Sequence, residues 1–264
     1  MKPLLFISLF LLLNTESVCA QSKFTQWAEN PLGFYPVGLE SGNGFYWGIS
    51  AIGVTFLLGE IFSKKDTLTK YRFSIFDEPG VTIGYGNRKG YTVGIDNAGV
   101  QYRIMRWMGV GGEITTYMYQ SPLANTVGFG ARPFARWYII HKSNWDLFFE
   151  YGAGIIWNLH NFPVTNDPGS GTVGTQFNFT PKYSIGADIK LQDKVFFTIG
   201  VRHVHVSNGF IFGPDRNPAF DSDGVFVAVS FFSKRPLVDP LFDNSRIAIK
   251  RKHRHIKSPQ LLLQ

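Results

Sequence analysis

The stretch from Lys194 to Asn208 reads KVFFTIGVRHVHVSN, and its period of two decides the fold. Val195, Phe197, Ile199 and Val201 fall on one side, and Lys194, Phe196, Thr198, Gly200 and Arg202 on the other. Side chains on a β-strand point alternately to opposite faces, so the more apolar face continues through His203, His205 and Ser207. A histidine and a serine two residues apart therefore share the greasy side of one strand.

The same pattern recurs along the chain. Phe177 to Ile189, Leu147 to Trp157, Val127 to Ile139 and Val225 to Phe231 all set apolar residues at alternate positions, with Glu, Asp, Arg, Lys, Gly and Ser prominent among the interleaved ones. The runs are 7–13 residues long, against the roughly 9–11 that a tilted strand needs to cross a bilayer. Apolar outside and polar inside is the pattern of a transmembrane barrel. A soluble sandwich alternates in the same way, but three features favour the membrane: strand length, a secretory start, and aromatics near strand ends at Trp137, Tyr138, Trp157 and Phe231.

Counting back from the C-terminus, strands are expected near 224–232, 195–206, 177–190, 146–157, 127–140, 108–118, 98–105 and 79–86. The fold expected is thus all-β, an eight-stranded antiparallel barrel. The apolar Phe45–Phe62 stretch, which reads equally as helix or strand, leaves ten strands open. Asp96-Asn97 interrupts the Tyr91–Gly99 stretch as a turn or bulge would. Connections at 106–107, 141–145 and 191–194 are short, whereas 119–126, 158–176 and 207–223 are longer. Outer-membrane barrels have short periplasmic turns and long outer loops, so His205 and Ser207 are expected at the outer leaflet.

Residues 1–20 read as a signal peptide: Lys2, an apolar Leu4–Leu13 core, and Val18-Cys19-Ala20 as the cleavage site. Ten apolar residues are too few to span about 30 Å of hydrocarbon. Cleavage after Ala20 removes the single cysteine, which excludes disulfides and thiolate chemistry. The chain holds 25 Phe, 11 Tyr, 6 Trp and 28 Gly, yet its mean hydropathy is −0.02, as suits strands greasy on one face only. Of the net charge of +7, the segment from Lys234 to Gln264 carries +6. The charge belongs to a tail, not to a nucleic-acid-binding face. The domain plan expected is a signal peptide at 1–20, an N-terminal segment at 21–78, a barrel at 79–232 and a basic periplasmic tail at 233–264, whose 250–255 run is suited to anionic lipid or cell-wall polymer.

A serine hydroxyl becomes a nucleophile when a base takes its proton and a third group orients that base. His205 and Ser207 are spaced to meet. The return through Asn217-Pro218-Ala219-Phe220-Asp221-Ser222-Asp223 brings a carboxylate to the histidine from the neighbouring strand, from Asp221 or, alternatively, Asp223. Asn208 offers its amide or its backbone N–H to an oxyanion. Taken alone, Ser-Asn-Gly is also an ordinary turn opening, and His203 suits a lipid phosphate or headgroup contact and, equally, interfacial filling.

His-x-Ser-Asn on the penultimate strand of an eight-stranded barrel, followed by Asn-Pro, resembles the lipid A 3-O-deacylases of the outer membrane, grouped with the acyloxyacyl hydrolases. The resemblance covers about residues 80–232. It implies His205 as base, Ser207 as nucleophile and Asn208 in the oxyanion hole. That family's acid is usually a Glu shortly after the Asn-Pro element. No Glu occurs between Ser207 and the last strand's end here, and Asp221, four residues after Asn217, is the nearest match by offset.

The function expected is hydrolysis of an ester-linked acyl chain of lipid A, 3-O-deacylation first, by a serine esterase in the bacterial outer membrane. The partners implied are lipopolysaccharide as substrate and the surrounding outer-membrane lipids, with no nucleic acid, no cofactor and no metal. Oligomeric state is left open. The alternatives are a non-catalytic barrel with adhesive or binding loops at 158–176 and 207–223, and an anchor whose basic tail does the work. Glu113, Glu150 and Asp188 with Arg132 and Arg136 are expected as a charge network in the lumen. Gly84-Tyr85-Gly86 and Gly109–Gly112 read as strand-packing glycines. His141 and His160 stand apart, without metal-ligand spacing.

Overall fold

The computed structural model describes residues 73–84, 90–165 and 173–233, with a few positions between 50 and 57. Eight antiparallel strands run β1 Phe73–Gly84, β2 Thr92–Met105, β3 Met108–Gln120, β4 Thr126–His141, β5 Trp145–Val164, β6 Val173–Gln192, β7 Val195–Val206 and β8 Phe220–Phe232. Each pairs with the next, and β8 returns to β1 to close the barrel. Closure leaves no unpaired strand edge, which is what a spanning sheet requires where no water can satisfy its backbone. The expected eight strands are found among the described residues. Most of the 21–78 segment, the signal peptide and nearly all of the tail lie outside them.

The period of two sorts the side chains cleanly. Ile114, Phe129, Ile155, Ile199, Val225 and Val227 stand exposed on the outer wall. Inside, the lumen is filled in two tiers. The outer half holds an apolar plug of Tyr91, Val93, Ile95, Tyr117, Tyr119, Ile156, Phe162, Val204, Val206 and Phe220. Beside it lies a charge network. Lys182 Nζ sits 3.0 Å from both Glu113 and Glu150 and 3.4 Å from Glu78. Arg202 donates to Glu78 at 2.8 Å, Arg136 pairs with Glu150 at 2.7 Å and Asp188 at 3.4 Å, and Arg132 pairs with Glu113. The five lumen charges expected from sequence are joined there by Glu78, Lys182 and Arg202.

Four details differ from the sequence-based expectation. β1 begins at Phe73, not near 79. Its early residues were hidden because Asp77 faces outward, breaking the apolar pattern. β2 runs unbroken through Asp96-Asn97, with Asp96 outside and Asn97 inside, donating to Glu78 Oε1 at 3.0 Å. Tyr138, expected among the aromatics near strand ends, points into the lumen and takes a 2.6 Å hydrogen bond from Gln101. Finally, β5 and β6 are each 20 residues long, so the loop expected at 158–176 is largely a β-hairpin. A bulge lets it extend: Trp157 pairs with Phe177, but the next partners are Phe162 and Thr175.

The hairpin of β7 and β8 keeps register for its whole length, from Val195 opposite Phe231 to Val206 opposite Phe220. This places His203 directly opposite Asp223 and His205 directly opposite Asp221, all four on the outer face.

Candidate active site

Strand β7 ends at Val206, yet Ser207 keeps strand geometry for one more residue. The Phe179 N–H donates to the Ser207 carbonyl at 2.7 Å, and the Ser207 N–H donates to the Phe179 carbonyl at 3.2 Å. That bridge to β6 preserves the alternation, so Ser207 and His205 still point the same way. Ser207 Oγ lies 2.9 Å from His205 Nε2. The other ring nitrogen, Nδ1, lies 2.6 Å from Asp221 Oδ1. A carboxylate at Nδ1 fixes the proton there and leaves Nε2 to accept from the serine hydroxyl. The arrangement can therefore remove a proton from Ser207 and stabilise the resulting imidazolium.

Of the two aspartates that the sequence left open, Asp221 is the one in contact with His205. Asp223 instead meets His203, with Oδ1 2.7 Å from Nδ1. His203 is not a headgroup contact: it is fully buried, its ring stacked on Tyr183 at 4.7 Å and 19°. On a face that the sequence pattern turns towards lipid, the site is sheltered. His205 and Ser207 are 5% and 8% exposed, against 50% for Ile199 on the same face. Charged and polar groups against hydrocarbon are costly, and covering them lowers that cost. Next to them Tyr151, Ala153 and Tyr183 form a buried outer-wall cluster, against which Ile52 packs.

The loop after Ser207 is built by Asn208. Its Nδ2 donates to the Arg216 carbonyl at 2.5 Å and to Thr175 Oγ1 at 3.3 Å, while its Oδ1 accepts from the Phe210 N–H at 3.0 Å. The Asn208 backbone N–H donates to Asn217 Oδ1 at 2.8 Å. Both donors expected to face an oxyanion are thus engaged in holding the loop, and either would have to exchange its partner to serve there. Gly209 follows at φ +63°, where a Cβ would sit 3.1 Å from the Phe179 ring, so only glycine fits without strain. Phe210 also takes a positive φ of 65°, unusual for a bulky residue. The turn presents Phe210, Ile211 and Phe212 outward, each about half exposed at 58%, 53% and 49%.

Sequence reasoning missed the supporting residues Thr175 and Arg216, and named Asn217 without its supporting role. The Asn-Pro pair at 217–218 was their only visible signal, because Thr175 lies in what read as loop. Among the described residues no group of three or more His, Cys, Asp or Glu is arranged to hold a metal ion. His141 pairs with Asp146 near the inner rim beside Arg103.

A family model described as lipid A 3-O-deacylase (PagL) matches residues 96–230. That span contains His203, His205, Ser207, Asn208, Asp221 and Asp223. No curated protein is similar to the sequence at a significant level. Among solved structures, the outer membrane enzyme PagL is 15% identical with a TM-score of 0.43, covering 59% of this chain and 97% of its own. Neisserial surface protein A is 11% identical with a TM-score of 0.45, covering 60% and 95%. The N-terminal β-barrel domain of Pseudomonas aeruginosa OprF is 10% identical with a TM-score of 0.37, covering 60% and 97%.

Proposed function

Because the chain belongs to the lipid A 3-O-deacylase (PagL) family of the bacterial outer membrane, we propose that it is a serine esterase that removes the 3-O-linked acyl chain of lipid A. The observation that carries this reading is the position of His205. It lies between Ser207 Oγ at 2.9 Å and Asp221 Oδ1 at 2.6 Å, on the outer face of the barrel at its outer end.

In this reading His205 Nε2 takes the Ser207 proton as Oγ bonds to the ester carbonyl carbon. The imidazolium stays paired with Asp221. Collapse of the tetrahedral intermediate breaks the ester bond, and His205 returns the proton to the departing sugar oxygen. A water molecule then gives a proton to His205 and attacks the acyl-serine, releasing a fatty acid and restoring Ser207. Asn208 contributes by fixing the loop that follows the nucleophile, and stabilises the oxyanion if Nδ2 exchanges the Arg216 carbonyl for substrate. Phe210, Ile211 and Phe212 give the acyl chain apolar surface beside the serine. Residues 1–20 serve export, and the basic segment at 233–264 lies on the periplasmic side, apart from this chemistry.

A serine-directed phosphonate ester tests the mechanism without lipid A. The refolded barrel is expected to gain one adduct, which peptide mass spectrometry places on Ser207, and the His205→Ala variant is expected to react roughly 10²–10⁴-fold more slowly. Equal labelling of the His205→Ala variant, or an adduct on another residue, would contradict it.

A further inference from the structure

We propose that His203 is a positioning residue for the same reaction: backed by Asp223, it holds the Asp221 carboxylate that orients His205. The inference rests on the triad reading above and extends it by a second histidine–aspartate pair.

Register sets the arrangement. His203 opposite Asp223 and His205 opposite Asp221 form two equivalent rungs on the outer face, two residues apart. The rungs are linked, because both imidazoles converge on one oxygen. Asp221 Oδ1 lies 2.6 Å from His205 Nδ1 and 3.4 Å from His203 Nε2. His203 Nδ1 in turn lies 2.7 Å from Asp223 Oδ1. Ser207, His205, Asp221, His203 and Asp223 therefore follow one another in a row, hydrogen-bonded at every step but the 3.4 Å ion-pair approach of His203 to Asp221.

Asp221 needs such support. It is the second residue of β8, next to the loop, and its side chain is 25% exposed. Left to itself, a carboxylate there can rotate towards water, and His205 would lose its orientation. His203 has no such freedom. It is fully buried, stacked on Tyr183 and held by the buried Asp223.

Cost points the same way. Lower on the same faces of these strands stand Ile199, Val201, Val225 and Val227. Apolar residues at 203 and 223 would suit a membrane wall better, since a buried ion pair seldom repays its desolvation in stability alone. When His205 takes the serine proton, positive charge appears beside Asp221. Two carboxylates joined through His203 answer that charge, with no solvent needing to reorganise.

The test is a double-mutant cycle on the refolded full-length barrel acting on lipopolysaccharide, with folding checked by the shifted gel mobility of unheated samples. His203→Gln is expected to lower kcat roughly 10–100-fold, as loss of an outer orienting partner does, with KM within about twofold. Asp221→Asn is expected to lower kcat further. The double variant is expected to be no slower than Asp221→Asn alone, because His203 acts only through that carboxylate. Reductions that multiply in the double variant would overturn the proposal. So would a wild-type kcat in His203→Gln while Ser207→Ala and Asp221→Asn are inactive, which leaves the triad standing. Full activity in Ser207→Ala would remove the triad itself, and this inference with it. Should His203→Gln fail to fold, Asp223→Asn carries the same cycle from the other end of the pair.

Discussion

Asn208 separates two tasks that one residue type can do. Its carboxamide donates to the Arg216 carbonyl and Thr175 Oγ1 and accepts from the Phe210 N–H, so it ties the residue after the serine to both the returning loop and β6. Asn208→Asp keeps the acceptor but loses both donors, and Asn208→Ala loses all three contacts. Both variants are expected to fold and to lose roughly 100-fold in activity, since a misplacement of about 1 Å at a reacting group costs that much. Steady-state deacylation by the refolded variants checks this, and wild-type rates in Asn208→Asp would show that the donors are dispensable. His205 and Ser207 were legible in the sequence because strand parity is a property of the backbone alone. Strand pattern alone left Asp221 and Asp223 open, and only the offset from Asn217 favoured Asp221. Both share a face, and only the hairpin register, set by the loop of residues 207–219, decides which one meets which histidine.

At the scale of elements, the site depends on where β6 and β8 stand relative to their neighbours. Phe179, within the expected strand, holds Ser207, and Thr175, in the part of β6 that reaches beyond it, holds Asn208. The matching extension of β5 was hidden by the bulge between Trp157 and Phe162 and by Pro163, which together break the period of two. β8 lies close against β1 at Gly224, beside Asp223. A Cβ there would lie 1.8 Å from the Val81 carbonyl oxygen and 2.5 Å from Thr82 Cα. Gly224→Ala must therefore push two backbones apart, and is expected to destabilise the barrel by about 1–3 kcal/mol. Gly112 is the matched control, with nothing within 4 Å of its Cβ position, and Gly112→Ala is expected to stay within about 0.5 kcal/mol of the parent. Urea unfolding in detergent micelles measures both, and equal midpoints would refute the close approach.

At the scale of the molecule, the outer wall of the barrel faces lipid, and the chemistry proposed for it lies on that wall. The lumen is closed by aromatic side chains above and balanced charges below, with Glu78, Glu113, Glu150 and Asp188 set against Arg132, Arg136, Lys182 and Arg202. Such a filling is a rigid support, not a channel. The outer wall is exposed and apolar around most of its girth, and buried where Tyr151, Tyr183, His203 and Asp223 lie side by side. The polar machinery thus sits in a membrane wall where an ester of a membrane lipid can reach it from the side. The most direct measurement is the mass of lipid A from bacteria expressing the protein. Wild type is expected to release one hydroxy fatty acid from lipid A, and Ser207→Ala, folded and present at the same level, is expected to release none. Lipid A of unchanged mass with the wild type, or shortened equally by Ser207→Ala, would contradict the account.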